Sequence, residues 1–308
     1  MRIVALADLH LTADTRPRME AVAETACRAE ADVLVVAGDC AADGWRSLGE
    51  ALGLFADFPG PRLMVPGNHD LWEDEAPFDT WRVYQERVPA IAAEQGFHCL
   101  DHEPLVLEGT GFVGCIGWYD YAMRQRTTPR EGLTVTPISV APGEDEGPSF
   151  SAVPGAEEGG WEGLEAEDYA ANGLIWKTDG PPQVAVWNDA LHLDWERPDG
   201  EMAEHFADLV REQIAAAADS ASRLVAVTHF VPFAELAETP SDTPSRAFAH
   251  AYLGSPLLGE ALEEAEDVAL VIYGHRHRQE VRTVRGIVTA DASVARAEEG
   301  PLLLTLPD

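Results

Sequence analysis

The sequence predicts an α/β protein, and three observations carry that reading. Short aliphatic runs, "RIVALA" at 2–7, "DVLVVA" at 32–37 and "RLMV" at 62–65, are apolar throughout instead of alternating, the pattern of parallel strands buried on both faces. The stretches between them, 16–31 and 45–58, carry apolar residues at helical spacing. Two more aliphatic runs, "RLVAVTHF" (223–230) and "VALVIYGHRH" (268–277), come late in the chain. With a further helix expected over 78–95, the opening of the chain reads βαβαβ, with right-handed crossovers.

From 97 to 117 the pattern changes to short strands separated by turn residues, "FHCL", "PLVLEG" and "GFVGCIGW", which suit antiparallel pairing at the edge or start of a second sheet. Residues 141–180 hold ten acidic residues and one basic one, with many Gly, Pro and Ala and no periodicity. That composition favours a partly disordered surface insertion over an ordered cap above a site, and the insertion is expected to span about 125–198 within a single domain covering 1–308. The aromatic stretch 173–195 is expected to be ordered. A helix follows at 199–218, with an apolar stripe at Met202, Phe206, Leu209, Val210 and Ile214. A last helix near 255–265 and three short strands, "QEVRTV", "GIVTA" and "LLLTL", complete the chain.

Composition excludes several classes. No apolar run approaches the roughly 20 residues that a membrane span requires. The first strand starts at residue 2 without a basic leader, so a cytoplasmic protein is expected. Cys27, Cys40, Cys99 and Cys115 show no tight spacing, which argues for buried thiols and against a disulfide framework or zinc finger. A net charge of -33 repels a phosphate backbone, so extended nucleic acid is a poor partner and a small substrate a better one. Lys177 is the one lysine among 21 basic residues. Acidity with almost no lysine fits a protein kept soluble in concentrated salt; a GC-rich genome accounts for the arginine but not for the acidity.

The chemistry lies at the strand ends. "RIVALA" runs into Asp8 and His10, "DVLVVA" into Gly38 and Asp39, "RLMV" into Asn68 and His69, the 223–228 run into His229, and the 268–273 run into His275 and His277. In an open α/β sheet the carboxyl ends of the strands converge on one crevice, so these groups should share a small volume. Carboxylate, imidazole and amide oxygen without thiolate suit Mn, Fe or Zn, and the number of ligands suggests two ions.

Five ordered blocks, "DLH" (8–10), "GD" (38–39), "GNHD" (67–70), "THF" (228–230) and "GHRH" (274–277), make the chain resemble the calcineurin-like metallophosphoesterases over residues 2 to about 290. The resemblance implies a four-layer αββα sandwich of two mixed β-sheets flanked by helices. It implies that Asp8, His10 and His277 hold one metal, that Asn68, His229 and His275 hold the other, and that Asp39 bridges them. It leaves His69 off the metals, facing the leaving group as general acid or transition-state stabiliser, and expects Asp70 to orient its neighbours. The implied reaction is hydrolysis of a phosphomonoester or phosphodiester, the diester favoured, by a metal-bridging hydroxide; the alternative is an inactive metal-binding scaffold or regulatory protein of the same fold. The segment "GDCAADG" (38–44) departs from the GDxVDRG of the protein phosphatases in this superfamily, which argues against a protein phosphatase and against an Asp43–His69 dyad. In "VWNDALHLDW" (186–195), packing is favoured over a crevice role for Asn188 or Asp189; Asp120 and Tyr121 follow a strand that could bring them nearer the crevice. His98, His102, His192, His205 and His250 are expected to be surface or helix residues without a part in the site.

Overall fold

The computed structural model describes residues 1–143, 147–178, 180–237 and 240–306. Part of the acidic stretch 141–180 expected to be a surface insertion, Glu144 to Glu146 and Asp179, therefore lies outside the described residues.

The strands are β1 (Arg2–Leu6), β2 (Val33–Ala37), β3 (Arg62–Val65), β4 (His98–Cys99), β5 (Leu105–Leu107), β6 (Thr110–Cys115), β7 (Thr134–Pro142), β8 (Pro148–Ala152), β9 (Gly159–Gly160), β10 (Asn172–Lys177), β11 (Gln183–Val186), β12 (Arg223–Thr228), β13 (Val268–Tyr273), β14 (Glu280–Val284), β15 (Ile287–Asp291) and β16 (Leu302–Thr305). They form three sheets. The first has the order β16-β1-β2-β3-β4, parallel except for β16, which runs antiparallel to β1 from Arg2↔Thr305 to Ala5↔Leu302. The second has the order β14-β15-β13-β12-β6-β5, parallel in its centre and antiparallel at both edges.

Alternation along the central strands explains how these two sheets become the middle of a four-layer αββα sandwich. Ile3, Ala5, Val33, Val35, Leu63 and Val65 join Phe112, Val225, Val227, Leu270 and Ile272 in one fully buried cluster between the sheets. The intervening residues, Val4, Leu6, Leu34, Val36 and Met64, point the other way, into a cluster with Met19, Val22 and Ala26 of the helix Arg16–Arg28 and Leu48 and Leu52 of the helix Trp45–Gly53. Val113, Ala226 and Val271 likewise join Phe206 and Val210 of the helix Asp199–Ala217 and Leu258 and Leu262 of the helix Pro256–Glu263. A strand covered on both faces must be apolar at every position, which is why these runs did not alternate. The helix expected over 78–95 is helical from Thr80 to Glu94, but it opens into π turns at Val83–Arg87. Pro89 has no N–H for the carbonyl four residues before it, and the backbone widens there.

The third sheet has the order β11-β10-β7-β8, with β9 also paired to β7, and all its pairings are antiparallel. Disorder was favoured for 141–180, and the described residues correct that expectation. Burial of Val135, Leu174 and Trp176 on one face, together with Trp161 and Tyr169, supplies the apolar surface that acidic composition concealed. The sheet is tied down by polar contacts as well: Trp161 Nε1 donates to the Gln125 carbonyl at 2.8 Å, and Tyr252 Oη donates to the Tyr169 carbonyl at 2.8 Å. After β11 the chain passes through Trp187 into a 3-10 turn, Asn188–Leu191, that brings it back over the ends of the main sheets.

Candidate metal centre

Of the strands that end in candidate ligands, β1, β2 and β13 leave their sheets through an unusual backbone. Asp8, His10, Asp39, His275 and His277 all have positive φ, between 41° and 71°. Non-glycine residues rarely adopt this left-handed region, and such strain concentrates at functional sites where the surrounding structure enforces it. The enforcement is visible in the loops. Asp8 N–H donates to the Gly38 carbonyl and His10 N–H to the Asp39 carbonyl, both at 3.0 Å, which fastens the β1 loop to the β2 loop. Asp70, fully buried, accepts from Ala41 N–H at 2.8 Å on one oxygen and Gly67 N–H at 2.9 Å on the other, fastening the β2 loop to the β3 loop. Burial and the nearby Asp39 charge push the Asp70 carboxyl up to about 6. Two glycines are obligatory for closeness: a Cβ on Gly38, itself at φ +84°, would meet His229 Nδ1 at 2.5 Å, and one on Gly67 would overlap Asp39 Oδ1.

Two ligand groups result. Asp8, His10, Asp39 and His277 form one, Asp39, His229 and His275 the other; within each, the ligating atoms lie within 4.8 Å of one another, and Asp39 is the member they share. In the first, His10 Nε2 and His277 Nε2 approach to 2.9 Å, His10 Nε2 is 3.4 Å from Asp39 Oδ2, and His277 Nε2 is 3.6 Å from Asp8 Oδ1. In the second, His229 Nε2 is 3.4 Å from Asp39 Oδ2, 3.2 Å from His275 Nδ1 and 3.2 Å from Asn68 Oδ1.

The tautomers decide what these approaches mean. His229 Nδ1 is 2.9 Å from the Ala37 carbonyl and His275 Nε2 is 3.1 Å from the Tyr252 carbonyl, so each ring donates outward and turns a lone pair inward. Asn68 donates through Nδ2 to Asp189 at 2.8 Å, which turns its Oδ1 inward too. His229 Nε2, His275 Nδ1, Asn68 Oδ1 and Asp39 Oδ2 are then four acceptors aimed at one another with no proton between them. A cation satisfies such a set, and imidazoles anchored through their second nitrogen are the usual way a metal site is oriented. The donor chemistry therefore fits two divalent ions sharing Asp39. Electrostatics agree at His10, His275 and Asp39, whereas at His229 the Asp39 charge favours a proton on Nε2 in the place a cation would take. Burial pushes His10 down to about 4 and holds His275 well below the ordinary imidazole range. Burial would also raise Asp39, but His229, His69 and His10 outweigh it and hold the carboxyl well below the usual range. Burial would lower His229, yet the Asp39 charge beside it pushes it up to about 9.

His69 belongs to neither group. Its Nδ1 lies 3.0 Å from the Ala42 carbonyl, its N–H donates to Asp39 Oδ1 at 3.0 Å, and its ring stacks on Trp72 at 3.7 Å between centroids. Asp43 is exposed, and the Ala42 carbonyl takes the nitrogen that an Asp43 dyad would have used. A cavity of about 290 Å³ opens above these groups, walled by Trp72, Trp187, Arg246 and Leu253 and floored by Asp39, Asn68, His69, His275 and His277.

Three sequence expectations need correction here. Asp189 is 2% exposed and accepts from Asn68 Nδ2, Trp72 Nε1 at 2.8 Å and Trp187 Nε1 at 2.9 Å, so the segment 186–195 serves the site as well as packing. His192 stacks on the far face of Trp72 and buried His250 lines the cavity, although both were set aside as remote. Asp120 and Tyr121 do not line the cavity: they bond to Ser255 and Asp199. Trp72, two residues after Asp70, was the one sequence signal available for the stacking wall; Arg246 and Leu253 carried none.

A two-sheet α/β sandwich whose strand ends gather two ligand groups around a shared carboxylate belongs to the metal-dependent hydrolases. The family model described as calcineurin-like phosphoesterase matches residues 1–279, and the chain belongs to that family. Among solved structures it is similar to the phosphopantetheinyl hydrolase of Mycobacterium tuberculosis, with a TM-score of 0.67 at 17% identity over 99% of this chain and 96% of that one. It is also similar to a dimetal phosphatase from Danio rerio, with a TM-score of 0.50 at 12% identity over 97% of this chain and 87% of that one. Both likenesses concern the fold. No curated protein matches the sequence. Among the described residues no helix is long and apolar enough to cross a membrane.

Proposed function

We propose that the protein hydrolyses a small phosphodiester, with Asp8, His10 and His277 holding one divalent ion, Asn68, His229 and His275 the other, and Asp39 between them. The observation that carries this reading is the convergence of inward lone pairs on both sides of Asp39, at the floor of a cavity that admits a small molecule. Two ions of the Mn, Fe or Zn type would supply Lewis acidity, neutralising charge on the phosphoryl oxygens and activating water. His69 holds the proton. With Nδ1–H donating to the Ala42 carbonyl, Nε2 is left for the cavity; as an imidazolium the ring gives its Nε2 proton to the departing alkoxide while water adds to phosphorus and the phosphorus–oxygen bond breaks, leaving the neutral Nδ1–H imidazole. Trp72, Trp187 and Leu253 offer apolar walls, and the exposed Arg246 guanidinium has no side-chain partner among the described residues. Walls beyond the metal floor favour a diester, which carries a group on each side of its phosphorus.

Reading the sheet of β7–β11 as a cap inserted at about 125–198 follows from where its last strand delivers Trp187. The free thiols of all four cysteines suit a reducing compartment, the cytoplasm, and the charge of -33 suits concentrated salt and disfavours extended nucleic acid. The test is turnover of bis(4-nitrophenyl) phosphate against 4-nitrophenyl phosphate, with protein loaded with Mn²⁺, Fe or Zn²⁺, at low and molar salt. Faster cleavage of the diester is expected. Preference for the monoester would overturn the diester reading, and no cleavage of either with both ions bound would overturn hydrolysis.

A further inference from the structure

Asp189 comes from the turn that closes the third sheet, yet its carboxylate sits between that sheet and the metal centre. It is buried and collects three donors within 3 Å, with Tyr119 Oη a more distant fourth at 3.5 Å from Oδ2. Asn68 Nδ2 and Trp72 Nε1 share Oδ1, each at 2.8 Å, and Trp187 Nε1 donates to Oδ2 at 2.9 Å. All three donors belong to cavity-lining residues, and each consequence is specific. A side-chain amide can present either its oxygen or its nitrogen to a cation, and only the oxygen binds one; an acceptor on the far side of Asn68 fixes the choice. Trp72 is held in its plane by the same oxygen, and the His69 ring lies flat on that plane, interplanar angle 29°, with His192 on the other face. Trp187, stacked on Tyr252 at 4.4 Å, is drawn in by the second oxygen.

We infer that Asp189 is a positioning residue: it orients the Asn68 amide oxygen toward the cation position beside His229 and, through Trp72, sets the ring of His69. This deepens the proposed function and rests on its two-ion centre, but it is read out by metal binding and not by turnover. A residue from the inserted sheet thereby controls one of the two ion positions and leaves the Asp8–His10–His277 position alone.

The experiment is a titration of metal-free protein with Mn²⁺, followed by calorimetry or by the electron spin resonance of free Mn²⁺. Asp189→Leu removes both acceptor oxygens and is expected to weaken one class of site about 10- to 100-fold, the range for loss of a group that orients a ligand, with the other class unchanged. Asn68→Ala is expected to produce the same one-site loss. The double variant should be no worse than either single one, because both act through one amide. Asp189→Asn keeps the volume and one oxygen; it carries the test if the leucine variant does not fold, and a smaller loss confined to the same site is expected. Equal weakening of both sites, additive losses in the double variant, or unchanged binding would overturn the inference. If the parent binds two ions and cleaves no phosphoester, the hydrolase reading falls while this one stands.

Discussion

At the scale of single residues, the proposed chemistry separates groups that would hold metal charge from one that would move a proton. His69 lies outside both ligand groups, so His69→Ala should leave the uptake of two ions unchanged while lowering kcat by about 10²- to 10⁴-fold, the usual worth of a general acid. Metal analysis beside steady-state kinetics checks this; lost metal would reassign the residue as a ligand. Asp39 is the opposite case. Its Oδ2 stands 3.4 Å from both His10 Nε2 and His229 Nε2, and it is the one residue common to the two groups. Asp39→Asn should therefore weaken both binding steps together, whereas two full sites in that variant would sink the bridge. The motif residues were legible in the sequence because each chemical type sits directly after an aliphatic run. Asp189 was not, since nothing in "VWNDALHLDW" distinguishes a carboxylate facing solvent from one turned into a cavity.

At the scale of elements, strand ends and the loops between them set the geometry. The β3 loop can reach Asp39 only without a side chain at Gly67, where a methyl would overlap Asp39 Oδ1. Gly67→Ala should fold, melt at a lower temperature and lose affinity at both ions, measured by thermal unfolding and Mn²⁺ titration; retained affinity would show that Asp39 can retreat without cost. A second junction joins β4, β5 and β6. Asp101 is buried there and accepts from Ile116 N–H at 2.8 Å, while burial pushes its carboxyl up to about 7. A raised carboxyl keeps its proton in the folded chain while the unfolded chain releases it near pH 4, so stability is highest below that pH and falls as pH rises toward about 7. Asp101→Asn removes the titration. Its melting temperature should match that of the parent near pH 4 and exceed it by a growing margin up to pH 7, constant beyond; a constant margin throughout would refute the assignment. Sequence located these elements well where periodicity was strong. It misjudged the stretch after 141, because the strands there are short and carry no Asp or Glu, while the connections between them hold all the acidic residues and dominate the composition.

At the scale of the whole molecule, the chain carries a formal net charge of -33 around a core with one apolar cluster between the sheets and another beneath both helical layers. Self-repulsion of that size is long-ranged at low ionic strength and is screened within roughly 3 Å at 1 M salt. The melting temperature should rise steadily from millimolar to molar NaCl, and a flat or falling curve would remove the case for adaptation to salt. The same field disfavours anionic substrates at a distance, a repulsion that the proposed pair of cations and the exposed Arg246 at the cavity wall would offset.

What the sequence determined by itself was the order of buried strands and the chemical type of group at each strand end, since burial on both faces dictates unbroken aliphatic runs and metal binding dictates carboxylate and imidazole. What only the tertiary structure decided was direction: which imidazole nitrogen faces inward, which end of the Asn68 amide is offered, and that a carboxylate more than a hundred residues away fixes it. Those choices depend on hydrogen bonds between segments distant in the chain, and no local pattern of residues encodes them.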